Sequence, residues 1–145
     1  MDLDRTKFTA LVVAGLLGLM IYRVCSPSTT FAADGTDPDW DAAVQRSRAT
    51  HQPTVVLFTA DWCPACQSLH KNVLTRPDVQ TEMERSYTCY KVDLTNPTPA
   101  AQAHAQKFGV QYIPLLIRYD VNGKETARTN YLPPAQLIDW LKAGE

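Results

Sequence analysis

Cysteine is scarce in this 145-residue chain, with Cys25, Cys63, Cys66 and Cys89 the only four. That is too few, in too long a chain, for a fold held together by a disulfide framework. Charge of one sign is also lacking. Lys and Arg total 14 against 15 Asp and Glu, the net charge is −1, and no basic run occurs. The footprint of a nucleic-acid binder is therefore absent, and no nucleic-acid partner is expected. No second CxxC and no close His pair is present to complete four zinc ligands, so neither a metal nor another cofactor is expected. Internal repeats are missing, which argues against a repeat architecture. Hydrophobic residues at 45% and charged residues at 20% fit one ordinary globular domain with some accessory sequence.

The accessory sequence is N-terminal. After a short start (residues 1–7) bearing Arg5 and Lys7, the stretch from Phe8 to Tyr22 carries no charge and ends at Arg23. It is shorter than the ~20 residues of a typical membrane span, but Arg23 extends it to residue 25 by snorkelling. The favoured reading is an uncleaved anchor over residues 8–25. A cleaved signal ending near Thr30–Ala32 is the alternative, although that site lies far beyond the apolar core. Lipidation at Cys25 is a weaker third reading, because Tyr22-Arg23-Val24 lacks the small residue such a site needs. Both main readings carry the rest of the chain across a membrane, in agreement with Arg5 and Lys7 staying inside. Residues 26–39, "SPSTTFAADGTDPD", form a polar linker, and the folded domain occupies residues 40–145.

Within the domain, Trp40, Ala43 and Val44 have helical spacing, with Asp37 or Asp39 as cap and Pro53 as stop. "TVVLFTA" (residues 54–60) is a continuous apolar run of the kind found in a buried central strand. "PACQSLHKNVL" is a helix, broken at Arg76-Pro77 and resumed from an Asp78 cap. A strand over Ser86–Leu94 follows, then a helix closed by Gly109. "IPLLIRY" and "KETARTNY" flank Asn122-Gly123, a type I′ hairpin signal. A last helix starts at Pro133-Pro134 and puts Leu137, Ile138, Trp140 and Leu141 on one face. The expected class is α/β, with a mixed central sheet covered by helices on both faces.

The chemistry concentrates in "DWCPACQSLH". Cys63 falls at the end of the buried strand and the start of a helix, where unpaired N–H groups and the dipole favour a thiolate. Pro64 suits the first helical position. Cys66 lies one turn deeper on the same face, placed to attack a mixed disulfide on an exposed, activated Cys63. Elsewhere, Ile113-Pro114 stands at the entry of an apolar strand, an unusual place for a residue that cannot donate to the ladder, and a cis bond would explain it.

With "ADWCPAC" after "TVVLFT", "FGVQYIP", and an Asn-Gly hairpin before the last helix, residues 40–142 resemble the thioredoxin family. The resemblance is greatest to the C-terminal periplasmic thioredoxin-like domain of DsbD-type disulfide reductases. It implies that Cys63 is the nucleophile and Cys66 the resolving thiol. It further implies that Pro114 is a cis-proline facing the pair, that Ile113 offers backbone hydrogen bonds to a substrate strand, and that Trp62 belongs to the rim with Pro64. The implied partners are disulfide-bearing proteins and an upstream thiol electron donor. Thioredoxins usually place a buried acid at the position occupied here by Leu57, so slower exchange at neutral pH, or proton relay through water, is expected. Leu115 replaces a Thr common after the cis-proline, with no interpretation.

Three functions are weighed. A membrane-tethered extracytoplasmic oxidoreductase working in the reducing direction is favoured over a thiol-holding chaperone for cytochrome or metalloprotein assembly, and over a carrier of a soft metal ion. A zinc half-site with His70 and Cys89 or His104, and a purely structural disulfide, are disfavoured. His70, His51 and His104 are expected at the surface, Cys89 as a small buried hydrophobe, and Trp40 and Trp140 as packing residues.

Overall fold

The computed structural model describes residues 40–144. The expected N-terminal start, anchor over residues 8–25 with Cys25, linker over residues 26–39 and Asp37 or Asp39 cap all lie outside the described residues. Helix α1 (Trp40–Thr50) leads into strand β1 (Thr54–Thr59). It stops ahead of Pro53, because His51 adopts φ 54, a left-handed conformation that a helix cannot propagate. After β1 come α2 (Pro64–Leu69), a π-helical turn (His70–Leu74), α3 (Pro77–Ser86), β2 (Thr88–Asp93) and α4 (Pro99–Lys107). The hairpin β3 (Leu115–Tyr119) and β4 (Glu125–Thr129) and the last helix α5 (Pro134–Lys142) complete the domain.

The sheet order is β2-β1-β3-β4, with β1 parallel to β2 and antiparallel to β3, so the expected mixed sheet is present with β1 inside it. Side chains alternate between its faces. On one face Val55, Leu57 and Leu116 meet Leu69, Val73 and Leu74, then Val79 and Met83 of α3 and Leu137 and Leu141 of α5. On the other, Val56, Phe58, Leu115, Ile117 and Tyr119 meet Ala101 of α4, with Trp40 and Phe108 packed against them. Trp40 sets its ring edge-on 5.0 Å from Phe108 and 4.5 Å from Tyr119, as a packing residue should.

Local signals differ from expectation at two places. Helix α3 is not capped by Asp78. Arg76 is its cap residue, Pro77 opens the first turn, and Asp78 accepts from Val79 N–H at 3.1 Å while pairing with Arg76. The hairpin turn is not type I′, which needs positive φ at both central residues. Only Gly123 (φ 81) is left-handed there. The Asp120 carboxylate accepts from the N–H groups of Asn122 and Lys124, each at 2.9 Å, and thereby stabilises a longer turn.

Candidate active site

Cys63 is the cap residue of α2. Its extended backbone turns the side chain back over the helix start, where Sγ accepts from Cys66 N–H at 3.2 Å. Pro64 occupies the first turn and costs no hydrogen bond there. The Cys63 thiol also donates to the Ile113 carbonyl at 3.6 Å. That carbonyl precedes Pro114, and the Ile113–Pro114 peptide bond is cis. Two segments far apart in sequence therefore meet at one sulfur.

Both thiols are free, and both are buried: Cys63 is 5% exposed and Cys66 3%. This corrects the expectation of an exposed Cys63. Ala60 packs directly with the pair, and Leu94 and Ile113 cover it from two other loops. The two sulfurs are distinguished by their hydrogen bonds rather than by exposure. Burial pushes the Cys66 thiol up from its ordinary range, and the neighbouring Cys63 thiol adds to that shift through a hydrogen bond and its charge. The Ala60 backbone and the Thr59 hydroxyl pull the other way. Leu57, 4% exposed, belongs to the cluster beneath α2 and offers no proton.

The loop between β1 and α2 is tied at both sides. Asp61 N–H donates to the Thr95 hydroxyl at 2.8 Å, and the Gln67 side-chain amide donates to the Asp61 carbonyl. Trp62, held on this loop, is 64% exposed, and Tyr112, beside Ile113, is 53% exposed. Sequence reasoning included Trp62, Pro64, Ile113 and Pro114 but missed Tyr112, whose only linear signal is adjacency to the Ile113-Pro114 pair. Pro64 is exposed at the rim and Pro114 is buried behind it.

Other singled-out residues lie elsewhere. His70 and His51 are at the surface, as expected. His104 is not: it is half-buried, and its Nδ1 lacks a hydrogen-bond partner. Cys89 is half-buried rather than buried, and it packs against the same cluster that lies beneath α2; desolvation, with the Glu84 charge, pushes its thiol up to about 12. Among the described residues, no three His, Cys, Asp or Glu side chains converge to hold a metal ion.

Residues 40–145 match the family model of a thioredoxin-like domain. The chain belongs to the thioredoxin-like family. This thioredoxin-like domain is 28% identical over 90 residues to the thiol:disulfide interchange protein DsbD 1 of Pseudomonas aeruginosa, a match covering 62% of this chain and 15% of that protein. It is 30% identical over 88 residues to DsbD of Photorhabdus laumondii, covering 60% of this chain and 15% of that protein. The match thus spans a small part of the length of these relatives. Among solved structures, the domain is similar to the oxidised DsbD C-terminal domain of Neisseria meningitidis, with TM-score 0.64, 25% identity, and coverage of 79% of this chain and 99% of that one. These relatives and neighbours of the thioredoxin-like domain are thiol–disulfide oxidoreductases.

Proposed function

We propose that this chain is a membrane-tethered, extracytoplasmic thiol–disulfide oxidoreductase that reduces disulfides of exported proteins. The observation that carries the reading is the environment of the Cys63 sulfur, between the Cys66 N–H in the first turn of α2 and the Ile113 carbonyl beside the cis bond at Pro114. Cys63 thiolate attacks one sulfur of a substrate disulfide, forming a mixed disulfide and releasing the other sulfur as a thiolate that takes up a proton. Cys66, as thiolate, then attacks Cys63 Sγ. A Cys63–Cys66 bond forms, the bond to the substrate breaks, and the substrate leaves with two added electrons. An upstream thiol donor returns the pair to the dithiol.

A substrate strand docks along the loop ending at Pro114, with Ile113 supplying backbone hydrogen bonds and Trp62, Pro64 and Tyr112 forming the rim. The exposure of both aromatic rings beside a buried sulfur supports this arrangement. The reducing direction is favoured by the DsbD-type relatives and by a Pro-Ala dipeptide without histidine between the cysteines. Tethering through residues 8–25 is part of the proposal. Among the described residues no helix is long and apolar enough to cross a membrane.

The test is a trap. Cys66→Ala leaves mixed disulfides on Cys63 unresolved, and mass spectrometry identifies the partners, with Cys63→Ser as control. Partners that accumulate with Cys66→Ala and vanish in the double variant are the expected result. Their absence, together with no insulin reduction by the unaltered chain, sinks the reading.

A further inference from the structure

Among the described residues only Trp62, Tyr112 and Tyr131 are large hydrophobics with exposed side chains. Strand register puts all three at one end of the sheet. Phe58, near the end of β1, pairs with Leu115 at the start of β3, and Leu116 pairs with Thr129, the last residue of β4. Trp62 follows β1, Tyr112 precedes β3 and Tyr131 follows β4. Exposed apolar residues scattered singly over a surface mean little, but three gathered at one end of a sheet do not fit that pattern. Two of them border the reacting atom. Trp62 precedes Cys63, Tyr112 precedes Ile113, and the Cys63 sulfur lies 3.6 Å from the Ile113 carbonyl.

Tyr112 belongs to a segment that is held at both ends. The Phe108 N–H donates to the His104 carbonyl and the Val110 N–H to the Ala105 carbonyl, each at 2.9 Å, which fastens the start of the segment to α4. Phe108, Val110 and Ile113 pack against the cluster that contains Phe58, and Ile113 also covers the cysteine pair. A ring presented on a fixed loop loses little conformational freedom when a ligand covers it, since tyrosine has only two side-chain torsions. Residues 108–114 carry no charge. Arg128, which reaches the Phe108 carbonyl at 3.4 Å, is already paired with the Glu125 carboxylate at 2.6 Å. This side of the sulfur therefore offers a substrate a ring and backbone groups, not a charge.

We infer that Tyr112 is a specificity-determining residue, selecting disulfides in extended protein segments that carry an aromatic or large aliphatic side chain next to the cysteine. The inference rests on the oxidoreductase reading and names the substrate class of that same site. The Cys63 sulfur is buried while both rings beside it are exposed, so a substrate cysteine must reach it from a thin segment. The side chain next to that cysteine then meets a ring. Covering apolar surface on both partners is favourable, whereas a small polar side chain gains nothing from the ring.

Full-length chain carrying Cys25→Ala and Cys89→Ala, in detergent, is mixed with either of two blocked peptides that differ only in Phe or Ser beside a single cysteine. Each peptide is supplied as its mixed disulfide with a coloured aromatic thiol. Cys63 thiolate attacks the peptide sulfur, a Cys63–peptide disulfide forms, and the aromatic sulfur leaves as a coloured thiolate with the electron pair of the broken bond. Release is followed against peptide concentration. The Phe peptide should half-saturate the parent chain at about tenfold lower concentration than the Ser peptide. Tyr112→Ser should bring the two peptides together, and Tyr112→Phe should keep them apart, because the ring rather than the hydroxyl makes the contact. A preference that survives in Tyr112→Ser overturns the inference, as does its loss in Tyr112→Phe. So does an equal slowing of both peptides in Tyr112→Ser, the mark of a merely structural role. Insulin reduction and release from a bare aromatic disulfide test the oxidoreductase reading separately. A parent chain that does neither removes that reading and this inference with it, whereas one that does both without preferring the Phe peptide removes this inference alone.

Discussion

Burial weakens the acidity of two thiols here, and the consequences differ with location. At Cys66 the effect falls on a reacting atom, so the rate of resolution should climb with pH through and beyond the ordinary thiol range. At Cys89 it falls on a packed residue of β2 and becomes a statement about stability. The folded chain holds the Cys89 proton more tightly than the unfolded chain, because its thiol is lifted from 9.0 to about 12. The stability contributed by the neutral thiol is complete below the ordinary value and is lost as pH rises through that window. Urea midpoints measured between pH 8 and about 11 should therefore fall less steeply for Cys89→Ala than for the parent. At this scale Cys63, Cys66 and the Ile113–Pro114 pair were legible in sequence through residue type and spacing. Tyr112 and the half-buried His104 were not. Which aromatic stays exposed, and which histidine is covered, depends on neighbours supplied by other elements.

Among the elements, β1 and α2 were readable because one is a continuous apolar run and the other begins with Pro at its first position. The π-helical turn over His70–Leu74 had no such signal. Thr75 N–H reaches back to the His70 carbonyl at 3.2 Å, and the wider turn lets both Val73 and Leu74 enter the core. The hairpin shows how a correct signal can carry the wrong geometry. Asn-Gly marks the turn, but the Asp120 carboxylate organises it, and glycine is needed only at position 123. A Cβ on Gly123 would lie 2.8 Å from Cγ2 of Val44 on α1. Gly123→Ala should therefore lower stability by about 1–2 kcal/mol from the left-handed backbone alone. Contact with Val44 should add to the loss. Adding Val44→Ala should relieve the contact and not the backbone cost, so chemical denaturation of the pair separates the two.

For the whole molecule, one sheet carries two apolar clusters, and the cysteine pair lies beyond the end of β1, the strand that contributes to both. Phe58 anchors the second cluster at 0% exposure, with its ring 5.9 Å from that of Phe108. Phe58→Ala should cost about 3–5 kcal/mol, a large share of the ~5–15 kcal/mol that a domain of this size commands. The urea midpoint measures it. Because Phe58 is on the strand that leads into the cysteine loop, slower insulin reduction should accompany the loss. Insulin reduction at the parent rate in folded Phe58→Ala would show the site to be independent of that cluster. Arg118 joins the opposite side of the molecule: its guanidinium hydrogen-bonds the Trp140 and Leu141 carbonyls and stacks 5.0 Å over the Trp140 ring. Trp140 thus packs as expected, but against a cation that no local pattern singled out.

Sequence alone determined the central strand, the order of helices and strands, the cysteine that starts a helix and the proline that belongs beside it. Those properties follow from hydrophobic periodicity, capping chemistry and the fixed geometry of proline, all of which act between near neighbours. The tertiary structure decided that both sulfurs are buried and that the Ile113 carbonyl meets Cys63. Those outcomes depend on which distant segments the sheet brings together, since desolvation and hydrogen bonding are set by whatever atoms fill the surrounding space.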